Sequence, residues 1–135
     1  MTPSNSTMIS FFQQLGKVFY SVAMADNNIR NEEVDKLKKV LQTQWLGLDE
    51  TTDSFGSDSA YQIEIVFDWL IEIDWNDSED VLNEFKFFKS EHESLFTQEV
   101  KDLILKTAMA IAESFSGKNK SELVLISQLE SILSK

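Results

Sequence analysis

Apolar residues recur at steps of three and four along most of the 135-residue chain, which is typical of helices that bury one face. In the first such segment, Phe11, Leu15, Val18 and Val22 follow these steps, and the spacing predicts a helix over residues 7–25. Five further segments show similar spacing, and most connections between them are short. The pattern therefore predicts an all-α fold, a compact bundle of about six helices.

One segment, over residues 61–75, fits two patterns. Its apolar and polar residues alternate, which is typical of a β-strand, but Ile63, Phe67 and Leu70 also form a helical row. A strand of this length would extend for roughly 50 Å, and the chain offers no partner strand for it. We therefore predict a helix. Because apolar residues surround most of this helix, we expect it to be the most buried element.

Polar residues divide the predicted helices. Residues 47–58 contain two Gly and are expected to form the longest loop, and residues 90–96 are expected to form a turn. Side chains that can form hydrogen bonds with free backbone N–H groups at helix N-termini are those of Asn76, Glu79, Thr97, Asn119 and Glu122.

The length and composition fit a single domain over residues 1–135, in which residues 1–6 are expected to be disordered. Apolar residues make up 42% of the chain, and ten Phe supply bulky side chains for a core. Cysteine is absent, which excludes disulfides and thiolate metal sites. Because we find no apolar run of about 20 residues and no secretory signal pattern, we expect a cytoplasmic protein that does not insert into membranes.

The net charge of −11 lies entirely in the middle of the chain. Residues 49–102 hold sixteen acidic and three basic groups, whereas residues 1–48 and 103–135 each carry a net charge of +1. The acidic segment would repel phosphate, so we expect no nucleic-acid partner. It could attract cations or a basic protein surface. The alternative is that it forms a solvated face that keeps the protein soluble.

Two parts of the chain share a plan. Residues 23–41 comprise the end of an apolar helix, an acidic residue after Ala, a polar turn and a helix with Glu in its first turn. Residues 110–133 repeat this order with two extra residues in the turn. Small Ala residues in the first helix of each part would let these two helices pack closely. The sequence thus predicts an internal helix-turn-helix pseudo-repeat.

The first part of this repeat contains the sequence ADNNIRNEE at residues 25–33. This sequence resembles the TerB-like family, named for a tellurite-resistance protein and related to the N-terminal domain of the DjlA co-chaperone. The second copy of the family pattern maps onto residues 112–113 and 121–122. The chain departs from the pattern at two positions, since Asn27 replaces the usual Gly and Glu113 replaces the usual Asp.

The TerB-like resemblance implies an all-helical bundle in a bacterial protein that is linked to stress responses or tellurite resistance. It also implies a protein partner, often within a membrane-associated assembly, and acidic helix ends that bind a divalent cation. On this basis the chain is expected to be a non-enzymatic accessory or scaffold protein. The alternative is a small acidic immunity-type protein that masks a basic partner.

Three acidic residues at the predicted helix ends form a candidate metal site. Asp26 and Glu33 from the first repeat would meet Glu113 from the second, and such an oxygen-rich site would bind Ca²⁺ or Mg²⁺ weakly. An EF-hand is excluded because, with Glu33 as its twelfth position, Val22 and Met24 would have to be ligands. The alternative is that these carboxylates only stabilise helix N–H groups and dipoles.

Few residues suit catalysis, and we predict that the chain is not an enzyme. The one histidine, His92, is expected to be an exposed loop residue, and the sequence contains no zincin motif and no nucleophile elbow. Carboxylates are plentiful, so a carboxylate-based hydrolase remains a third alternative, which predicts a concave pocket with two close carboxylates. Trp69, Trp75, Phe87 and Phe88 are expected mainly in the core, with a partner contact as the alternative.

Overall fold

The computed structural model describes residues 5–23, 31–46, 53–73, 75, 80–115 and 120–134. These ranges contain no strand, so the all-α prediction is confirmed, and residues 61–72 are helical. Their helices are α1 (Asn5–Ala23), α2 (Asn31–Leu46), α3 (Asp53–Glu72), α4 (Val81–Glu91), a 3₁₀ helix (Glu93–Leu95), α5 (Gln98–Phe115) and α6 (Lys120–Leu133).

Four of the helices surround a common core. Helices α3 and α5 each pack against both α1 and α2, so that α1, α3, α2 and α5 follow one another around the core. Within the described ranges α1 and α2 make few direct contacts, because they lie at opposite corners of this group. Helix α4 packs on the outer side of α1, and α6 contacts α5, α1 and α4.

The core consists of the helical rows that the sequence pattern predicts. Burial of these apolar side chains supplies the main favourable term in folding. The largest side chains that are fully buried are Phe11, Leu15, Phe19, Leu37, Leu41, Ile63, Phe67, Leu70, Phe85, Ile104 and Ile111.

The predicted boundaries at the starts of α1 and α3 differ from the structure. Helix α1 begins at Asn5, so residues 5 and 6 of the segment expected to be disordered are helical. Helix α3 begins at Asp53, so the predicted loop over residues 47–58 is wrong from residue 53 onward, and residues 47–52 lie outside the described ranges. An acidic residue in a first turn suits the helix dipole, and a single Gly costs a helix only about 1 kcal/mol. The long buried row of α3 outweighs that cost.

The capping predictions can be compared with the structure at α4 and α5. The backbone N–H of Val100 donates to Oγ1 of Thr97 at 3.2 Å, so Thr97 caps α5 as predicted. Helix α4 begins at Val81 and is preceded by Asp80, so it does not start at the cap predicted at Asn76. Residues 76–79 and Asn119 lie outside the described residues, and so does the side chain of Glu122.

The predicted turn over residues 90–96 is wrong for its first two residues, because α4 continues to Glu91, and the rest of it contains the 3₁₀ helix and contributes to the core. Phe96 is buried, and its ring lies edge-on to those of Phe11 and Phe85, with centroid distances of 5.3 and 5.7 Å. Edge-to-face contacts of this kind add to the free energy of burial. The polar connection between α4 and α5 thus holds these two helices to α1 through Phe96.

A membrane-crossing helix is not found among the described helices, since none combines the necessary length with a sufficiently apolar sequence. The cytoplasmic location stays a prediction.

Candidate functional site

The outer face of α3 carries the most extended row of exposed apolar side chains in the described residues. Tyr61, Ile65, Trp69 and Ile73 are 64%, 45%, 44% and 47% exposed. They follow one another at intervals of four residues, so they form one ridge along the helix. We call this ridge the α3 stripe. The prediction that this segment is the most buried element is therefore wrong.

The reason is that α3 has two apolar rows and only one of them meets the core. Ile63, Phe67 and Leu70 are fully buried, because α1 and α2 pack on that side of α3. The alternation of apolar and polar residues over residues 61–73 places apolar side chains on both sides of the helix. The bundle covers one side and leaves the α3 stripe in contact with solvent.

Three carboxylates run beside the α3 stripe, and we call Glu64, Asp68 and Glu72 the acidic row. Each lies three residues after a member of the stripe, so the two rows are neighbours on the helix surface. Asp68 Oδ1 lies 2.8 Å from the Nζ of Lys38, and Glu64 Oε2 accepts a hydrogen bond of 2.7 Å from Nε2 of Gln42. The acidic row therefore lies on the side of α3 that faces α2.

A second candidate site is a cleft between α4 and α6, with a volume of about 170 Å³. We call it the α4–α6 cleft. The side chain of Lys89 is only 5% exposed there, and its Nζ lies 3.4 Å from Oε1 of Glu93. A buried lysine requires compensation for the lost hydration of its charge, and this carboxylate provides part of it. The lining residues are Lys86, Lys89, Ser90, Glu93, Ser131 and Ile132.

The described clefts do not present the two close carboxylates that a carboxylate-based hydrolase would need. Glu93 is the one acidic residue that lines the α4–α6 cleft. A shallower cleft along α5, of about 400 Å³, is lined by both Asp102 and Glu113. These two residues are eleven positions apart in one helix, which is roughly 16 Å along its axis. At that separation they cannot act on the same bond.

The predicted metal ligands cannot be compared as a set. Asp26 lies outside the described residues, and so does the side chain of Glu33 in α2. Glu113 is exposed near the end of α5. Among the residues that the structure describes, no group of three His, Asp or Glu side chains is close enough to hold a metal ion. The Ca²⁺ or Mg²⁺ site stays a prediction.

The aromatic residues singled out in the sequence divide into two groups. Phe88 is buried, and Trp75 is half-buried against Tyr20, with ring centroids 5.9 Å apart. Trp69 and Phe87 are exposed, so the expectation that they belong to the core is wrong. The sequence gives the spacing of these side chains, but the packing of neighbouring helices decides which of them are covered.

His92 differs from the exposed loop residue that the sequence predicts. It follows the last residue of α4, and it is half-buried with its ring 4.4 Å from that of Phe88. The expectation failed because His92 lies four residues after Phe88 at the end of α4, so its ring packs against that of Phe88.

The chain matches the model of a known protein family. The model of the family described as epoxide hydrolase N terminus matches residues 22–121, which are 100 of the 135 residues. The chain belongs to the epoxide hydrolase N-terminus family. The matched region contains all of α2, α3, α4 and α5, and hence the whole α3 stripe and the α4 wall of the α4–α6 cleft. Comparisons with curated proteins and with solved structures found no match.

Membership of the epoxide hydrolase N-terminus family corrects three predictions. The TerB-like resemblance is wrong, and the bacterial stress or tellurite-resistance role that it implied is wrong with it. The prediction that the chain has no enzymatic role is also wrong, because the family belongs to an enzyme, epoxide hydrolase. The immunity-type alternative has no support from this family.

The TerB-like prediction is wrong because the sequence motif on which it rests is not specific to one family. ADNNIRNEE contains a break that ends one helix and acidic residues that begin the next. Any helical hairpin prefers these residue types at these places. The motif therefore indicates where one helix ends and the next begins, and it does not identify a family. The match to the epoxide hydrolase N-terminus family, in contrast, rests on 100 residues.

Proposed function

We propose that the chain is the helical N-terminal unit of an epoxide hydrolase and that it packs against the unit that carries the catalytic groups. The observation that carries this proposal is the family match over residues 22–121. The partner of the helical unit is accordingly a protein.

The chemistry of the described clefts supports the proposal that the catalytic groups lie in another unit. Opening an epoxide with water requires one group that activates the attacking oxygen and another that protonates the oxygen leaving carbon. Efficient catalysis also requires both groups to be held in place away from bulk water. Asp102 and Glu113 lie at opposite ends of an open cleft, so neither can assist the other.

The experiment uses extracts of cells with and without the gene for the chain, so that the catalytic unit is not removed together with the chain. Diol formation from styrene oxide is measured in both extracts, and again after purified chain is added back to the extract that lacks it. We expect loss of the gene to lower the rate several-fold and the added chain to restore it. The purified chain alone should form diol no faster than buffer. An unchanged rate in the extract without the gene would contradict the proposal.

A second candidate is favoured by the ion pair in the α4–α6 cleft. Here the chain itself would open the epoxide. Glu93 would take a proton from a water molecule while the oxygen of that water bonds to a carbon of the epoxide. Lys89 would donate a proton to the oxygen of the breaking C–O bond, and transfer of the proton from Glu93 to Lys89 would complete the cycle. The 3.4 Å separation of their charged atoms allows direct transfer of the proton from Glu93 to Lys89. Because water attacks the carbon from the side opposite the breaking C–O bond, the two side chains would have to separate to hold the epoxide between them.

The same assay distinguishes the two candidates. If the purified chain forms diol and Glu93→Gln abolishes that activity, the α4–α6 cleft is the active site. Glu91→Gln, a change at an exposed neighbour on α4, is the matched control. Activity that is unaffected by Glu93→Gln would exclude the cleft as the site.

A further inference from the structure

The α3 stripe differs from the other exposed apolar side chains of the protein. Elsewhere in the described residues, such side chains lie singly or as one adjacent pair, as with Ile9 on α1, Phe87 on α4 and Met109 on α5. Scattered apolar residues are normal on protein surfaces, whereas a continuous apolar ridge marks a binding surface. Four successive members make the α3 stripe about three turns long, which matches the contact length of one docked helix.

The chemistry beside the α3 stripe restricts what can bind to it. Helix α3 contains five acidic residues and no basic residue. Lys38 forms an ion pair with Asp68 in the middle of the acidic row, and Gln42 supplies only a neutral donor to Glu64. Among the described residues Glu72 forms no ion pair. The flank of the stripe therefore keeps negative charge at both ends of the acidic row.

We propose that the α3 stripe binds an amphipathic helix with basic residues along one side of its apolar face. Its apolar side chains would cover Ile65 and Trp69, and Lys or Arg side chains would reach Glu64 and Glu72. These two carboxylates are eight residues apart, roughly 12 Å along α3, so the basic residues should be seven or eight positions apart. We assign this helix to the unit that carries the catalytic groups, so the inference rests on the proposed function.

Two other occupants fit less well. A second copy of the chain would bring another molecule of net charge −11 towards the acidic row, and the repulsion would oppose association. An anionic membrane would be repelled for the same reason. A basic helix gains attraction from the same charges, which also steer its approach.

The test uses the full chain and two synthetic peptides of 18 residues as probes. Both carry Leu along one helical face; one has Lys at two flanking positions seven residues apart, and the other has Glu there. Titration calorimetry measures affinity, and the part of the tryptophan fluorescence change that is lost with Trp69→Ser reports whether Trp69 becomes shielded from water. We expect the basic peptide to bind at least tenfold more tightly than the acidic one.

Substitutions locate the binding surface. Trp69→Ser should weaken binding of the basic peptide by roughly thirtyfold, because a central aromatic anchor is lost. Phe87→Ser removes another large exposed aromatic side chain, from α4, and should leave affinity unchanged. Glu72→Lys should weaken the basic peptide and strengthen the acidic one, and this exchange of preference would not follow from misfolding.

Three outcomes would overturn the inference: equal binding of both peptides, loss of binding with Phe87→Ser, or binding to neither. Vesicles of phosphatidylcholine and sedimentation of the chain alone complete the test, since shielding of Trp69 by lipid or by self-association would identify a different occupant. These measurements involve no epoxide, so the stripe inference can fail while add-back of the chain still restores diol formation. If peptide binding holds and add-back fails, the proposed function is wrong instead.

Discussion

Gly16 of α1 lies directly against Val66 of α3, at the place where these two helices cross. A Cβ atom built on Gly16 would lie 2.5 Å from Cγ1 of Val66 and 2.9 Å from its Cβ. Carbon atoms in contact are normally 3.5–4.0 Å apart, so the space beside Gly16 is already filled by the valine. The absence of a side chain at residue 16 therefore sets how closely α1 approaches α3.

Replacement of this glycine tests the close approach. Gly16→Ala should favour the helical state by about 1 kcal/mol through helix propensity. Overpacking typically costs about 1–3 kcal/mol, and valine in a helix has little freedom to change its rotamer. We expect Gly16→Ala to lower the free energy of unfolding by about 1 kcal/mol, measured by urea denaturation.

The control for Gly16→Ala is the double variant with Val66→Ala. Val66→Ala alone should destabilise the protein because it removes buried methyl groups. In the double variant the new methyl group occupies part of that space, so the two losses should not add. Additive losses would show that Val66 is not the obstacle.

Ser21 offers a prediction of the opposite sign. Its side chain is buried in α1, and its Oγ forms no hydrogen bond with the described residues. A buried hydroxyl without a partner costs about 1–3 kcal/mol in lost hydration, and alanine has the higher helix propensity. We expect Ser21→Ala to raise the free energy of unfolding by about 1 kcal/mol, measured as an increase in the urea midpoint.

Thr107 provides the comparison for Ser21. It is also fully buried, but its hydroxyl donates to the carbonyl oxygen of Leu103 at 2.7 Å. Thr107→Val removes a hydroxyl that has a partner, so it should lower the free energy of unfolding by about 1 kcal/mol. If both variants shift stability in the same direction, hydrogen bonding of the hydroxyl is not what decides the sign.

The sequence predicts those parts of the fold that depend on local pattern. The row of Phe11, Leu15 and Val18 specifies the buried face of α1, and Thr97 marks the start of α5 through its hydroxyl. Both follow from the geometry of one helix. The close contact between Gly16 and Val66 depends on two helices about fifty residues apart in sequence, and no local pattern contains it.

The candidate surfaces also depend on how separate helices pack, so the local sequence pattern does not predict them. The apolar residues of the α3 stripe can be identified in the sequence. Without the positions of the neighbouring helices, however, a second apolar row on a helix predicts that the whole helix is buried. Lys89 reads as an ordinary surface lysine, and its burial arises from the packing of α4 near α6. The period-two alternation over residues 61–73 was the available signal for the stripe.

The buried stem of Lys89 leads to a third prediction. Lysine packs its hydrocarbon stem against apolar neighbours, so truncation loses packing as well as charge. We expect Lys89→Ala to lower the free energy of unfolding by about 2 kcal/mol. Lys89→Met keeps most of the stem and should lose less than half as much, since the partner, Glu93, is largely exposed and such pairs contribute little.

Urea denaturation of both Lys89 variants checks this expectation. Equal losses for Lys89→Ala and Lys89→Met would mean that the ammonium group, and not the stem, stabilises the α4–α6 cleft. A stable Lys89→Met variant would also allow a direct test of the second candidate function, because any loss of diol formation could then be assigned to the missing ammonium group.

Phe96 tests whether the connection between α4 and α5 belongs to the core. Its ring contacts those of Phe11, Phe85 and Phe88, with centroids 5.3–6.3 Å away, so truncation would open a cavity among three aromatic side chains. We expect Phe96→Ala to lower the free energy of unfolding by about 3 kcal/mol. Phe87→Ala, at a side chain that is 67% exposed, should change it by less than about 0.5 kcal/mol. Because the two substitutions remove the same atoms, a similar loss for both would mean that residues 93–96 do not pack as described, and that α1 is held to α4 and α5 by other contacts.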